Sequence, residues 1–261
     1  MKTPVFTGSN VAIVTPMHPD GAVNYEKLGE LIEFQIAGGT NAITICGTTG
    51  ESSTLKDPEH LEAIRFTVEK VAGRVPVVAG TGSNETAHAI ELSKEAASYG
   101  ADALLLVTPY YNKCTMKGLV RHYTAVADSV NIPLIVYNVP SRTGVSMTVD
   151  VYRELSRHPL INGIKEASGS TDIVLRTLAA CGDEINIWSG NDNQIVPYMA
   201  MGCKGVISVL ANVCPRETSE LAALCLKGDY AQAARMQVRF MELIDALFCE
   251  VNPIPGKTAL N

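Results

Sequence analysis

Lys165 closes a short apolar run (Leu160, Ile161, Ile164) within the stretch Gly163-Ile-Lys-Glu-Ala-Ser-Gly169. A lysine there aims its amine at the mouth of whatever sheet the strand joins. In water such an amine, with a pKa of roughly 10.4, is an uncharged nucleophile in only about one molecule in 2,500 at pH 7. Burial disfavours the ammonium and lowers the pKa, which is how lysines that form imines with carbonyl compounds are activated. The plainer reading is a packed stem with its charged head in water. Tyr137 lies 28 residues earlier, one strand–helix–strand step. The two therefore close adjacent parallel strands, about 4.8 Å apart. A phenol beside a lysine amine suits the proton transfers that make and break a carbinolamine.

Other groups fall on the same expected rim. Gly47-Thr-Thr-Gly50 offers hydroxyls and free backbone N–H groups, a nest for a carboxylate. Arg142, in Asn138-Val-Pro-Ser-Arg142-Thr-Gly144, can hold a second carboxylate bidentately. Each has a duller reading. Tyr137 also fits a strand-end tyrosine with a satisfied hydroxyl, and Tyr110 and Tyr111 fit packing against the rim. Arg142 fits a solvated loop, and Thr48 and Thr49 fit a turn that bonds its own backbone. Taken together, the set suits a 2-oxo acid condensing with another anionic carbonyl compound.

Eight continuous apolar runs can position these groups: Val11–Thr15, Ala42–Cys46, Pro76–Gly80, Ala103–Val107, Pro133–Tyr137, Ile161–Lys165, Ile185–Ser189 and Gly205–Val209. None alternates in and out, as expected of parallel strands buried on both faces. Amphipathic segments separate them, among them Tyr25–Ala37, Pro58–Val71, Glu85–Tyr99 and Lys117–Ser129, with Asp57 expected as an N-cap before Pro58. This alternation predicts a (β/α)8 TIM barrel, whose reactive groups sit at the carboxyl ends of the strands. The rival doubly wound sheet lacks its fingerprint, since Gly80-Thr-Gly82-Ser-Asn-Glu85 has no third glycine. The barrel is expected over 1–226. A shortened C-terminal helical region is expected over 227–261, with helices at Arg216–Leu226 and Asp229–Phe248 and a break at Asn252-Pro-Ile-Pro-Gly256.

Composition narrows the function classes. The 261 residues are 46% hydrophobic and 18% charged, with a formal charge of −6, which argues against nucleic-acid or anionic-membrane partners. No run approaches the roughly 20 apolar residues of a membrane span, and the N-terminus lacks a signal-peptide core. Seven cysteines without close pairs read as small core residues in a reducing compartment, so a cytoplasmic location is expected. The five histidines (18, 60, 88, 122 and 158) are widely separated, with no metal-ligand spacing.

Gly-Thr-Thr-Gly-Glu at 47–51, Tyr-Asn-Val-Pro-Ser-Arg-Thr-Gly at 137–144 and Gly-Ile-Lys-Glu-Ala-Ser-Gly at 163–169 together resemble the pyruvate-dependent class I aldolase family of dihydrodipicolinate synthase and N-acetylneuraminate lyase. Arg142 and the Tyr110–Tyr111 pair are similar to the synthase branch; the neuraminate lyases usually lack that arginine. The resemblance implies a lyase of lysine and diaminopimelate biosynthesis that joins pyruvate to aspartate semialdehyde. It implies that Lys165 forms the Schiff base and that Tyr137 shuttles protons through Thr48 to Tyr111 of a neighbouring subunit. Thr49 would hold the pyruvate carboxylate, Ile207 and Gly190 would line that pocket, and Arg142 would bind the semialdehyde carboxylate. No metal or organic cofactor is expected, because the iminium is the electron sink, and self-association as at least a dimer is implied. Another pyruvate-dependent aldolase, acting on N-acetylneuraminate or a 2-keto-3-deoxy sugar acid, and an inert barrel binding 2-oxo acids are the alternatives. The family's allosteric lysine pocket maps to Ser52, Ser53, Asp57, His60, Asn84, His88 and Tyr110. Lysine-sensitive members generally carry glutamate where His88 stands, so weak or absent inhibition is expected. Two departures are Gly256, where valine is common, and the shortened C-terminal region, which puts a tetramer in question.

Overall fold

Strands with no polar face need cover on both sides, and here a closed ring supplies it. The computed structural model describes residues 1–261. Its strands are β1 (Gly8–Ala12), β2 (Ala42–Ile45), β3 (Val77–Gly80), β4 (Ala103–Val107), β5 (Leu134–Asn138), β6 (Ile161–Glu166), β7 (Asn186–Ser189) and β8 (Gly205–Ser208). All pair in parallel in chain order, and β1 closes the ring against β8. The helices are α1 (Tyr25–Ala37), α2 (Asp57–Val71), α3 (Thr86–Ser98), α4 (Met116–Asp128), α5 (Pro140–Thr143), α6 (Val149–Leu155), α7 (Thr171–Cys181), α8 (Ile195–Ala200), α9 (Pro215–Leu226), α10 (Tyr230–Ala246) and α11 (Ile254–Ala259). This is the (β/α)8 barrel that the alternation predicts, with helices added after the ring.

Two apolar layers result. The outer one, between strands and helices, includes Val11, Ile43, Ile64, Leu104, Leu119, Val136 and Ile164, all essentially buried. The inner one fills the barrel with Ala12, Ala42, Val78, Ala103, Leu105, Ile135, Trp188 and Ile207. Trp188 makes part of its floor: it stacks on Phe6 at 4.9 Å and donates its indole N–H to the Phe6 carbonyl at 3.2 Å. Gly163 must be glycine for this, because a Cβ there would come within 2.5 Å of the Trp188 ring. Packing so large a ring below the site leaves side-chain chemistry to the rim above.

Four local expectations need correction. The first strand runs Gly8–Ala12 rather than Val11–Thr15. Its early part is polar (Ser9, Asn10) but buried, and Asn10 accepts a hydrogen bond from Thr44 inside the barrel, so apolar content alone misplaces it. Asp57 is the first residue of α2, not its cap, and its carboxylate meets His88 instead. The break expected at Asn252-Pro-Ile-Pro-Gly256 holds for Asn252 and Pro253, but Ile254–Gly256 already belong to a further helix, α11. The cysteines are also not uniformly core; Cys114 and Cys214 are half-buried and Cys249 is exposed.

Candidate active site

Strand register brings the two chemically loaded residues together. Tyr137 on β5 pairs with Lys165 on β6, and the next pair is Asn138 with Glu166. Successive side chains alternate faces, so Tyr137 and Lys165 share the barrel interior while Asn138 and Glu166 turn toward the helices. The Lys165 ammonium nitrogen lies 4.3 Å from the Tyr137 ring centroid, and both side chains are about 95% buried. Gly190, just past β7, gives the lysine its room. A Cβ there would press on the Lys165 Cγ and Cε at 3.2 Å.

Burial sets the protonation chemistry. Desolvation pulls the Lys165 pKa down to about 8, opposed by the Asp192 carboxylate and reinforced by the Arg142 guanidinium. The Tyr137 phenol is pushed up to about 12 by burial, with Arg142 and the neighbouring Thr48 side chain pulling the other way. A neutral phenol thus faces an amine that is partly neutral near pH 7, the matched donor and nucleophile that carbinolamine chemistry requires.

The outward pair locks this register. Glu166 is buried and accepts hydrogen bonds from the Tyr152 hydroxyl at 2.6 Å, the Ser168 amide at 2.7 Å and Asn138 Nδ2 at 3.1 Å to each oxygen. One carboxylate therefore ties β5, β6, α6 and the loop beyond Lys165. Sequence reading names neither Glu166 nor Asp192 as part of the site. Asp192 is fully buried and accepts from the Ser208 hydroxyl at 2.5 Å and the amides of Val209 and Leu210 at 3.0 and 2.9 Å. Desolvation raises its pKa, while those donors and Lys165 pull it back. Their signal is positional: acids at the end of β6 and just past β7, within reach of the lysine.

The remaining groups gather on the same rim. Thr48, Ser52, Gly80, Leu105, Val107 and Tyr137 line a small pocket at the barrel mouth. It shares Thr48, Ser52, Gly82 and Val107 with a cleft of about 550 Å³ that also touches Tyr110, Tyr111 and Arg142. Arg142 sits in the last turn of α5, exposed, and Ile207 is buried with Tyr137 in the inner core. Thr49 is buried, and its hydroxyl accepts a hydrogen bond from Asn252 Nδ2 at 3.0 Å. Tyr111 stands apart: 89% exposed, at φ +68°, it touches only the outer cleft. The outer cleft also gathers Ser52, Ser53, Asp57, His60, Asn84, His88 and Tyr110. There the His88 ring lies 3.1 Å from Asp57 Oδ1 and 3.2 Å from Ser83 Oγ. No three His, Cys, Asp or Glu side chains gather in a way that could hold a metal ion.

Comparison with known proteins agrees with the barrel fold. The model of the Dihydrodipicolinate synthetase family matches residues 5–261. A 4-hydroxy-tetrahydrodipicolinate synthase from Thermoanaerobacter sp. (strain X514) is 56% identical over 259 residues, which cover 99% of this chain and 87% of the relative. The crystal structure of dihydrodipicolinate synthase from Aquifex aeolicus matches with a TM-score of 0.95 and 46% identity, over 97% of this chain and 87% of its own. The chloride-inhibited dihydrodipicolinate synthase from Acinetobacter baumannii, solved in complex with pyruvate, gives the same score, identity and coverage.

Proposed function

This chain belongs to the dihydrodipicolinate synthetase family, and we propose from its site how it makes 4-hydroxy-tetrahydrodipicolinate from pyruvate and aspartate semialdehyde. The neutral Lys165 amine attacks C2 of pyruvate, and the carbinolamine loses water as the Tyr137 phenol delivers a proton to the departing oxygen. The resulting iminium draws electrons from the substrate methyl group, which loses a proton to give an enamine. That carbon attacks the aldehyde, forming the new C–C bond, and the alkoxide takes up a proton. The amino group of the condensed product then adds to the iminium carbon, closing the ring and expelling Lys165 as the free amine. Because the iminium accepts the electrons, no metal or organic cofactor is required.

The other rim residues take supporting parts. Thr49 and its backbone hold the pyruvate carboxylate, with Ile207 and Gly190 shaping the pocket around the substrate. Arg142 binds the carboxylate of aspartate semialdehyde as a bidentate partner. Thr48 and Tyr111 carry protons between Tyr137 and solvent. Tyr111 acts across a subunit boundary in this reading, and its exposure and left-handed backbone, unfavourable for an aromatic residue, support an assembly of at least two chains. No helix is long and apolar enough to cross a membrane, and the acidic composition fits a cytoplasmic enzyme without nucleic-acid partners.

One observation carries the mechanism: the buried Lys165 amine, held 4.3 Å from the Tyr137 ring. Borohydride reduction in the presence of pyruvate, followed by peptide mapping, tests it. The expected result is a single stable adduct on Lys165, lost together with turnover in Lys165→Ala. An adduct on another lysine, or none from a protein that turns over, would refute the assignment.

A further inference from the structure

The C-terminal segment reaches back over the barrel and touches the Gly47–Glu51 turn at two places. Asn252 Nδ2 donates to Thr49 Oγ1 at 3.0 Å, with both residues buried. Five residues on, Lys257 Nζ lies 2.8 Å from Glu51 Oε1, and both side chains are about 70% buried. Glu51 occupies the left-handed region at φ +58°, a conformation that needs outside support in a residue other than glycine. The turn is also fixed from below, where the Thr15 hydroxyl donates to the Gly50 carbonyl at 2.7 Å.

The direction of the Asn252 bond has a chemical consequence. A threonine hydroxyl carries one proton and two acceptor lone pairs. At Thr49 one lone pair is filled by the Asn252 amide, and the hydroxyl proton has no acceptor in the chain. Asn252 Oδ1 is buried without a partner. The opposite orientation of the amide would let Thr49 donate to Asn252 and strand the Nδ2 group instead. In the observed orientation Thr49 is a buried donor with its proton unused, suited to a carboxylate.

We propose that Asn252 is a positioning residue for pyruvate: its amide fills the acceptor side of Thr49 and thereby aims the Thr49 hydroxyl proton at the substrate carboxylate. This rests on the assignment of Thr49 to that carboxylate. Asn252 does not touch the reacting atoms, so its effect falls on pyruvate binding rather than on turnover at saturation. A carboxylate at position 252 can only accept. It takes the Thr49 proton and also sets a negative charge close to the substrate's.

The test compares Asn252→Ala, Asn252→Asp, Lys257→Met, Thr49→Val and the double variant Thr49→Val/Asn252→Ala. KM for each substrate is measured, together with the pyruvate concentration that half-saturates borohydride trapping. Hydrogen bonds to charged groups are strong enough that Asn252→Ala should raise KM for pyruvate about tenfold. The nearly isosteric Asn252→Asp should raise it about 100-fold, because it adds repulsion to the lost donor. In both, kcat and KM for aspartate semialdehyde should stay within about twofold, the effect being confined to pyruvate binding. The double variant should bind pyruvate no worse than Thr49→Val, since both changes remove one interaction. If Thr49→Val raises KM but Asn252→Asp does not, the proposal fails and the role of Thr49 stands. If Thr49→Val leaves KM unchanged, the carboxylate assignment itself fails and the proposal with it. If Lys257→Met matches Asn252→Asp, simple anchoring of the turn accounts for the data and the proposal is overturned.

Discussion

Keeping an amine usable inside a barrel costs stability, and the cost can be measured. The Lys165 pKa falls from 10.5 to about 8, chiefly through desolvation. At 1.36 kcal/mol per tenfold change in proton affinity, this corresponds to roughly 3 kcal/mol against the folded state. The sign follows from proton counting. Below pH 8 both the folded and the unfolded chain hold the proton, and the folded form carries the full penalty. Between about pH 8 and 10.5 the folded chain has released its proton while the unfolded chain keeps it, so rising pH favours folding and the penalty fades. Above that window both are neutral and nothing remains of it. Lys165→Met keeps an unbranched stem without the charge. It should therefore be inactive but more stable than the parent by about 3 kcal/mol at pH 7, a difference shrinking to below about 1 kcal/mol by pH 10. Denaturant unfolding of both proteins at one concentration, from pH 6.5 to 10.5, reads the difference directly, provided that subunit association is held equal. A gap that is absent at pH 7, or that does not narrow as pH rises, would show that Lys165 is not a desolvated amine.

In the proposed mechanism the same protonation governs the chemistry. The initial rate of pyruvate trapping at subsaturating pyruvate should rise about tenfold per pH unit below 8 and level off above it. Asp192→Asn should move that midpoint to lower pH, because it removes the carboxylate that favours the ammonium; an upward move would contradict the geometry. Tyr152→Phe takes the 2.6 Å donor from the buried Glu166 carboxylate and should cost about 1–3 kcal/mol in unfolding free energy. An unfolding midpoint equal to that of the parent would mean that the Asn138 and Ser168 donors suffice. Lysine should inhibit weakly or not at all, since His88 offers an imidazole already engaged by Asp57 in the outer cleft. Strong inhibition at sub-millimolar lysine in a steady-state titration would refute that reading.

What sequence could reveal depended on whether a residue's role is local. Lys165 and Tyr137 were legible because each ends an apolar run and their spacing is one strand–helix–strand step; the register then pairs them directly. The barrel was legible for the same reason, through eight apolar runs of which Ala103–Val107 matches its strand end to end. Strand β1 was less so, because Ser9 and Asn10 are polar residues at buried positions, where the Asn10 carbonyl oxygen accepts from Thr44 on the neighbouring strand β2. Asp57 looked like a cap from its neighbour Pro58, whereas its partner His88 lies on another helix. The link between Asn252 and Thr49 spans 203 residues. No local pattern encodes it, and Asn-Pro-Ile-Pro read on its own suggests only an interruption.

Those distant links bear on how one lysine can be both buried and correctly aimed. An inward-facing amine on a strand has no polar neighbour on its own face except what other strands supply. Here Tyr137 comes from β5 and Asp192 from just past β7, while the Glu166 carboxylate on the reverse face holds β5 and β6 in the register that keeps Tyr137 beside Lys165. A slip of one residue between these strands would put Lys165 opposite Asn138 and turn one of the pair outward. The network outside the barrel therefore secures the geometry inside it, and the substitutions that loosen it should disturb pyruvate chemistry without touching pyruvate.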